Sequence, residues 1–176
     1  RPLTVSLLCL TLGILSLQAQ DIQSAIQWLD RNQPNKAIQT LQDIHQIQPT
    51  RQTYFYSGYL AIRTNRLSEA QQYFEKGTAL DEKRHPLNKT GLGIVAFLEG
   101  RTADADQILG EVLKASKSKD PEILWRIGEA YTGYAQVIND VDTPLYPHHN
   151  AQKAIEYLEQ ALKRDKKNGG IWLTLG

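Results

Sequence analysis

The chain is predicted to be all-α, a solenoid of stacked antiparallel helix pairs. One observation is that small residues recur in pairs, with the two residues of a pair twelve positions apart. In the first three pairs the second residue is an alanine, and these alanines are spaced by 33 and then 35 residues. Another is the segment 150–168, which places apolar residues at helical spacing along one face and Gln, Lys, Glu and Arg along the other. A helix pair whose apolar side is too wide to be buried alone has to stack on its neighbours.

The segment 150–168 is the clearest single helix in the sequence. Asn150 is the predicted N-cap, and the helix is expected to end between Asp165 and Gly170. Alanines at 154 and 161 would allow a neighbouring helix to approach closely. The residues expected on the buried face are Ala151, Ala154, Ile155, Leu158, Ala161 and Leu162.

The small residues predicted at helix crossings form four pairs. In three of them the spacing is twelve, whereas the fourth has 14 additional residues. The excess predicts an insertion at about residues 139–150. The pairs are Ala25 with Ala37, Gly58 with Ala70, Gly93 with Ala105, and Gly128 with Ala154.

Two stretches carry a family resemblance. The sequence KAIEYLEQAL, which starts at Lys153, resembles the second helix of a tetratricopeptide repeat, and EILWRIGEAY, which starts at Glu122, resembles the first. Repeats of this family have about 34 residues, with small residues at the eighth and twentieth positions. The resemblance implies a right-handed α-α superhelix with repeats at about 20–50, 51–85, 86–120 and 121–168, and a partial fifth at 169–176. The chain departs from the family pattern at Ser57, Gly77 and Lys89.

The first 19 residues differ from the rest. Arg1 precedes an apolar run from Leu3 to Leu17, and Ala19 precedes the first acidic residue. A cation, a short apolar core and a small residue at the end are typical of a secretory signal peptide, and the alternative is an uncleaved N-terminal anchor. We therefore expect an exported protein of the periplasm or cell envelope, and the resemblance is to envelope proteins of Gram-negative bacteria.

Charge and cysteine content exclude several functions. Removing residues 1–19 removes Arg1 alone among the charged residues, which leaves 19 residues of each sign. A balanced charge argues against a surface for nucleic acid or anionic membrane. The single cysteine, Cys9, lies within the apolar segment, so thiol chemistry is not expected in the remainder.

The sequence predicts no enzyme, no metal site and no cofactor. His148 and His149 lie near Asp140 and Asp142, but this stretch lacks the glycine and glutamate of a calcium loop, so a surface loop is expected. The other histidines, at 45 and 85, have no serine or carboxylate partner that the sequence reveals.

The predicted partner site is the concave face that first helices line in this family. When the family's groove positions are transferred to this chain repeat by repeat, the second and fourth repeats supply aromatic side chains and few charges. Aromatic anchors suit a groove that binds a peptide or a helix. The residues of this predicted groove are Phe55, Tyr59, Ile62, Arg63, Thr90, Ile94, Phe97, Trp125 and Glu129. Because Arg63 is its only cation, no clamp for a partner's terminal carboxylate is expected.

These observations favour a scaffold that binds a protein or peptide partner, without nucleic acid and without a membrane contact beyond the N-terminal segment. Two alternatives stay open. The repeats can be the accessory portion of a longer enzyme or sensor, or a structural envelope component that associates with itself.

Overall fold

The computed structural model describes residues 22–29, 31–132 and 150–176. Within these ranges the secondary structure is helical, apart from one isolated bridge between Glu82 and His85. The helices are α1 (22–29), α2 (Pro34–Ile47), α3 (Arg51–Arg63), α4 (Leu67–Thr78), α5 (Leu87–Leu98), α6 (Thr102–Ser116), α7 (Pro121–Thr132), α8 (Ala151–Arg164) and α9 (Gly169–Leu175).

The helices pack as consecutive antiparallel pairs. Helix α3 packs on α4, α5 on α6, and α7 on α8, while α3, α5 and α7 also contact one another in that order. The first pair shares a core formed by Ala25 and Leu29 with Ala37, Leu41 and Ile44. The prediction of an all-α repeat solenoid is therefore confirmed.

Small residues lie where paired helices approach most closely. All eight residues predicted at the crossings are buried. A Cβ atom added to Gly58 would lie 2.5 Å from the Phe74 ring, and one added to Gly91 would lie 2.4 Å from the same ring. In the next pairs the corresponding distances are 2.6 Å from Gly93 to Leu109 and 2.7 Å from Gly128 to Leu158. Side chains larger than hydrogen at these points would require the helices to separate.

The turn inside each of the first three pairs has the same geometry. One residue adopts a left-handed conformation, with φ of 54° at Asn32, 57° at Asn65 and 77° at Gly100. The next amide then donates to a carbonyl five residues earlier, which is the bond of a Schellman helix end. These bonds run from Gln33 to Trp28 (2.8 Å), Arg66 to Ala61 (2.8 Å) and Arg101 to Ala96 (2.9 Å).

The fourth pair keeps this bond despite its insertion. The amide of Asn150 donates to the carbonyl of Tyr131 over 3.0 Å, and these residues occupy the same repeat positions as Arg101 and Ala96. The chain therefore returns to the start of α8 at the point that an uninterrupted turn would reach. The predicted insertion itself, with the histidine pair at 148–149, lies outside the described residues.

Helix α8 agrees with most of its prediction. The Asn150 side chain accepts a hydrogen bond from the amide of Lys153 over 3.0 Å, which confirms the N-cap. Four of the six residues expected on the buried face are buried. Ile155 is exposed because it lies at the margin of the apolar stripe, and Ala151 is exposed at the first position of the helix.

Gly77 occupies a position where the family pattern has a larger residue, and the packing of Asn88 explains the difference. An added Cβ at Gly77 would lie 2.2 Å from the buried Asn88 side chain. That side chain donates to the carbonyl of Arg51 (3.0 Å) and to the carboxylate of Asp81 (2.9 Å). Asp81 also accepts from the amides of Asn88 and Lys89, so it caps the start of α5. Gly77 thus makes room for a polar link between repeats.

Candidate functional site

The predicted groove residues divide into two groups in the structure. Tyr59, Arg63, Trp125 and Glu129 are partly exposed. The remaining five are buried where α3, α5 and α7 pack together, so they present no surface to a partner in this state. From α7, Arg126 lies over the ring of Phe55 and Tyr131 packs edge-on against Phe97. The buried residues are Phe55, Ile62, Thr90, Ile94 and Phe97.

A buried arginine lies at the centre of this face. Arg126 is 4% exposed, and four aromatic rings surround its guanidinium. Its Cζ atom lies 3.9 Å from the ring centroid of Trp125, 4.9 Å from Tyr59, 5.5 Å from Phe55 and 5.9 Å from Tyr56. Three of these rings belong to α3 and one to α7, so the cation joins two helices of alternate repeats.

A carboxylate balances the charge of Arg126. Nη1 of Arg126 donates to Glu129 over 3.0 Å, and the Tyr59 hydroxyl donates to the other oxygen of Glu129 over 2.5 Å. Burial opposes the charge of Arg126, but Glu129 favours it, and the pKa of Arg126 lies above its ordinary value. Burial, and then Glu129, also raises the pKa of Tyr59, so the phenol stays neutral and donates its proton.

A second network lies at the edge of the same face. The Tyr56 hydroxyl donates to Glu122 over 3.2 Å, and Nε2 of His85 lies 3.6 Å from the other oxygen of Glu122. Nδ1 of His85 pairs with Asp120, which also accepts from the amides of Glu122 and Ile123 and thereby caps α7.

His85 is a cation at neutral pH. Its hydrogen bonds to Asp120 and then Glu122 raise the pKa of His85 to about 9. Burial opposes ionisation of both carboxyl groups, yet His85 holds the pKa of Asp120 and of Glu122 below the ordinary values. Both ring nitrogens of His85 are engaged with carboxylates, which leaves no lone pair for a metal ion. In the ranges that the structure describes, no group of three or more His, Cys, Asp or Glu side chains is arranged to hold a metal.

The two networks connect α3 of the second repeat with α7 of the fourth, on the face that the family resemblance predicts to be concave. The hydrogen bonds from Tyr56 and Tyr59 join residues 66 and 70 positions apart in sequence, and they pass over α5. Sequence reasoning missed Arg126, because the residues of α7 predicted to line the groove were Trp125 and Glu129. The spacing of Arg126 and Glu129, three residues apart on one helix face, is the signal that would have indicated the pair.

The prediction that Arg63 is the only cation of this face is wrong, because Arg126 lies there too. The charge of Arg126 is nevertheless already balanced by Glu129, so a partner carboxylate would have to displace Glu129 to reach it.

One further pair involves a histidine and a serine. Nε2 of His45 lies 3.1 Å from the Oγ atom of Ser57, a contact that the sequence did not reveal. Burial lowers the pKa of His45, and the ring stacks on Tyr73 and tilts against Tyr54. Ser57 is 6% exposed, so substrate could not reach its hydroxyl group without a rearrangement. The pair is a packing contact between α2 and α3.

No helix in the described ranges combines the length and apolar character needed to cross a membrane. Comparison with protein families gives one match, the tetratricopeptide repeat, over residues 52–84. That range spans most of α3, all of α4 and most of the following turn. No curated protein matches the chain significantly. The family match, together with the observed solenoid of helix pairs, supports a tetratricopeptide repeat protein.

Proposed function

We propose that this chain is a non-catalytic scaffold that binds a protein or peptide partner across its concave face. Tetratricopeptide repeats are in general protein–protein interaction modules, and the repeat match supports that class of function here. The observation that carries the proposal is the exposed part of the concave face, where Tyr59, Arg63, Trp125 and Glu129 remain accessible.

The aromatic side chains of this face are held in place before any partner arrives. The indole N–H of Trp125 donates to the Thr174 hydroxyl over 3.1 Å, and its ring packs so closely on Gly170 that an added Cβ there would lie 2.4 Å from it. Tyr59 is fixed by Glu129 and Arg126. Rigid aromatic side chains lose little conformational entropy on binding, which is why such residues dominate binding energy at interfaces.

Export to the cell envelope is part of the proposal. It is supported by the sequence of residues 1–19, which lie outside the described residues.

Site-specific photo-crosslinking tests the concave site. A benzophenone side chain placed at Arg63, on the rim of the concave face, should give discrete cross-linked products in envelope fractions. The matched control places the same group at Gln72, which is exposed on α4, a second helix. Products from position 63 and none from position 72 are the expected result. The same products from both positions, or none from position 63, would contradict the concave site.

A further inference from the structure

The turns between repeats form one continuous edge of the solenoid. These turns are residues 48–50, 79–86, 117–120 and 165–168, and together we call them the inter-repeat edge. Arg51, just after the first turn, pairs with Glu82 in the second over 2.8 Å. His85 in the second turn pairs with Asp120 in the third. These contacts place successive turns side by side.

Exposed cations are concentrated along the inter-repeat edge. The three turns after α4, α6 and α8, with the helix ends that lead into them, carry ten exposed lysines and arginines. Cations at a helix C-terminus favour the helix dipole, which explains part of this placement. None of the ten takes part in the ion pairs found among the described residues. They are Lys76, Lys83, Arg84, Lys114, Lys117, Lys119, Lys163, Arg164, Lys166 and Lys167.

Cations on the opposite edge are engaged instead. Arg66 pairs with Glu69 over 2.5 Å, and Arg101 pairs with Asp104 over 3.0 Å. The ammonium group of Lys36 lies 4.5 Å from the ring centroid of Trp28. The two edges therefore differ in how much positive charge they offer to another molecule.

Acidic side chains on the inter-repeat edge do not cancel its charge. Asp81 caps α5, Glu82 pairs with Arg51, and Asp120 pairs with His85 while it caps α7. Asp81 and Asp165 are the acidic residues of these turns for which the structure gives no ion pair among the described residues, against ten unpaired lysines and arginines. The free charge of the edge is therefore strongly positive.

Exposed apolar side chains lie on the same edge. Among the described residues five large apolar side chains are exposed, and four of them lie on or near this edge. Leu80 is in the second turn, Ile47 ends α2 just before the first turn, and Trp172 and Leu173 lie in α9 after the last turn. Trp172 is attached to the last turn, since its indole N–H donates to the carbonyl of Lys166 over 3.2 Å. The four are Ile47 (69% exposed), Leu80 (47%), Trp172 (55%) and Leu173 (85%).

We propose that the inter-repeat edge docks on the surface of an anionic phospholipid bilayer. Lysines and arginines would contact the headgroup phosphates, and the apolar side chains among them would enter the interface to a shallow depth. An indole ring favours the same interfacial position. Nucleic acid or an acidic peptide would meet the cations but would offer no apolar layer for Ile47, Leu80 and Leu173. A bilayer is therefore the partner that fits both features.

The proposal concerns a surface distinct from the concave face and does not depend on the proposed partner site. It also departs from the expectation drawn from net charge. A total near zero conceals the uneven placement of charge, because Asp81, Glu82 and Asp120 on this edge are engaged in helix caps and ion pairs while its ten exposed cations are unpaired.

Vesicle partitioning of the full chain tests the proposal. Residues 3–17 are apolar and can enter any bilayer, so the quantity to measure is the ratio of two partition coefficients. The numerator comes from vesicles of phosphatidylcholine with about one third phosphatidylglycerol, and the denominator from phosphatidylcholine alone. The contribution of the apolar segment cancels in this ratio. We expect a ratio on the order of ten or more at low salt, decreasing as salt screens the charges.

A matched pair of charge variants locates the surface. The triple variant Lys83→Glu, Lys117→Glu and Lys166→Glu should bring the ratio close to one. The control changes net charge equally on the opposite edge, with Arg31→Glu, Lys36→Glu and Arg101→Glu, and should keep at least half of the wild-type ratio. A milder triple variant, with glutamine in place of Lys83, Lys117 and Lys166, should lower the ratio severalfold. It keeps the test valid if the charge-reversal variant does not fold.

Three outcomes would overturn the proposal. One is a wild-type ratio near one at low salt. Another is an equal loss in the two charge-reversal variants while circular dichroism shows both folded. The last is strong binding to heparin or polyglutamate without any preference for anionic vesicles, which would indicate a polymeric anion as the partner.

Discussion

Substitution of Gly58 by alanine examines the closest helix contact in the solenoid. The added Cβ would lie 2.5, 2.7 and 2.9 Å from three carbons of the Phe74 ring. Carbon atoms in contact are separated by about 3.5–4.0 Å, so the ring or the helix has to move by about 1 Å.

The surroundings of Phe74 prevent an inexpensive shift. The ring is fully buried, Gly91 closes on it from α5, and its centroid lies 5.7 Å from that of Phe55. Overpacking of this kind costs about 1–3 kcal/mol. Alanine gains about 0.5–1 kcal/mol over glycine in a helix, which offsets part of that cost. We expect Gly58→Ala to lower the free energy of unfolding by about 1–2 kcal/mol.

Gly110 provides the matched control. It lies within α6, and no atom outside its own helix lies within 4 Å of an added Cβ. Gly110→Ala should therefore raise the free energy of unfolding by about 0.5–1 kcal/mol. Urea unfolding followed by circular dichroism at 222 nm compares the two variants.

The sign of the change in the free energy of unfolding of each variant tests the predicted helix contact. If Gly58→Ala is as stable as the wild type, or if both alanines stabilise equally, the close approach of α3 and α4 at this point is refuted. A second variant separates overpacking from other causes. Phe74→Leu in the Gly58→Ala background should cost less than the sum of the two single changes.

Three further changes probe the turns and the concave face. Stability linked to His85 should decrease by about 2–3 kcal/mol as pH rises from 6.5 to 9, and not in His85→Gln, because a pKa raised to about 9 in the folded state stabilises the fold at low pH and the benefit is lost as the proton leaves. Thermal melts across this range measure it. Replacing residues 133–149 by Leu-Glu-Gly, the residues at 98–100 between α5 and α6, should leave helix content and melting temperature nearly unchanged, since the Asn150 bond returns the chain to the regular turn; circular dichroism measures both. Arg126→Met should lower the free energy of unfolding by about 2–4 kcal/mol, because Glu129 loses its partner, and urea unfolding measures it.

Each of these predictions has an opposing result. An unchanged pH dependence in His85→Gln would show that the pairing with Asp120 contributes nothing. A large loss of helix on shortening 133–149 would show that the insertion supports the adjoining helices. A stable Arg126→Met protein would show that the aromatic rings do not need the cation.

The helix pairs could be predicted because they depend on local and periodic features. Spacings such as that from Gly58 to Ala70 report helix crossings directly, since close approach excludes larger side chains. The left-handed turn residues Asn32, Asn65 and Gly100 follow nearly the same period, which is a second local signal of the repeat. Each is a residue type that tolerates positive φ.

The covering of the concave face could not be predicted in the same way. It depends on contacts between residues 66 to 70 positions apart, such as Tyr59 with Glu129, for which the sequence shows no period. Phe55 was predicted to line the groove, but it is fully buried beneath Arg126. Whether a long side chain covers its neighbours depends on the geometry of three helices together.

The central claim is that α3 and α7 meet across α5 through their side chains. A double-mutant cycle of Tyr59→Phe and Glu129→Gln measures this contact most directly, through the free energies of unfolding of the wild type, both single variants and the double variant. The structure leads us to expect a coupling energy of about 1–3 kcal/mol, because the bond is part-buried and made to a charged acceptor. Strictly additive effects would show that the two helices do not touch and that the concave face is open.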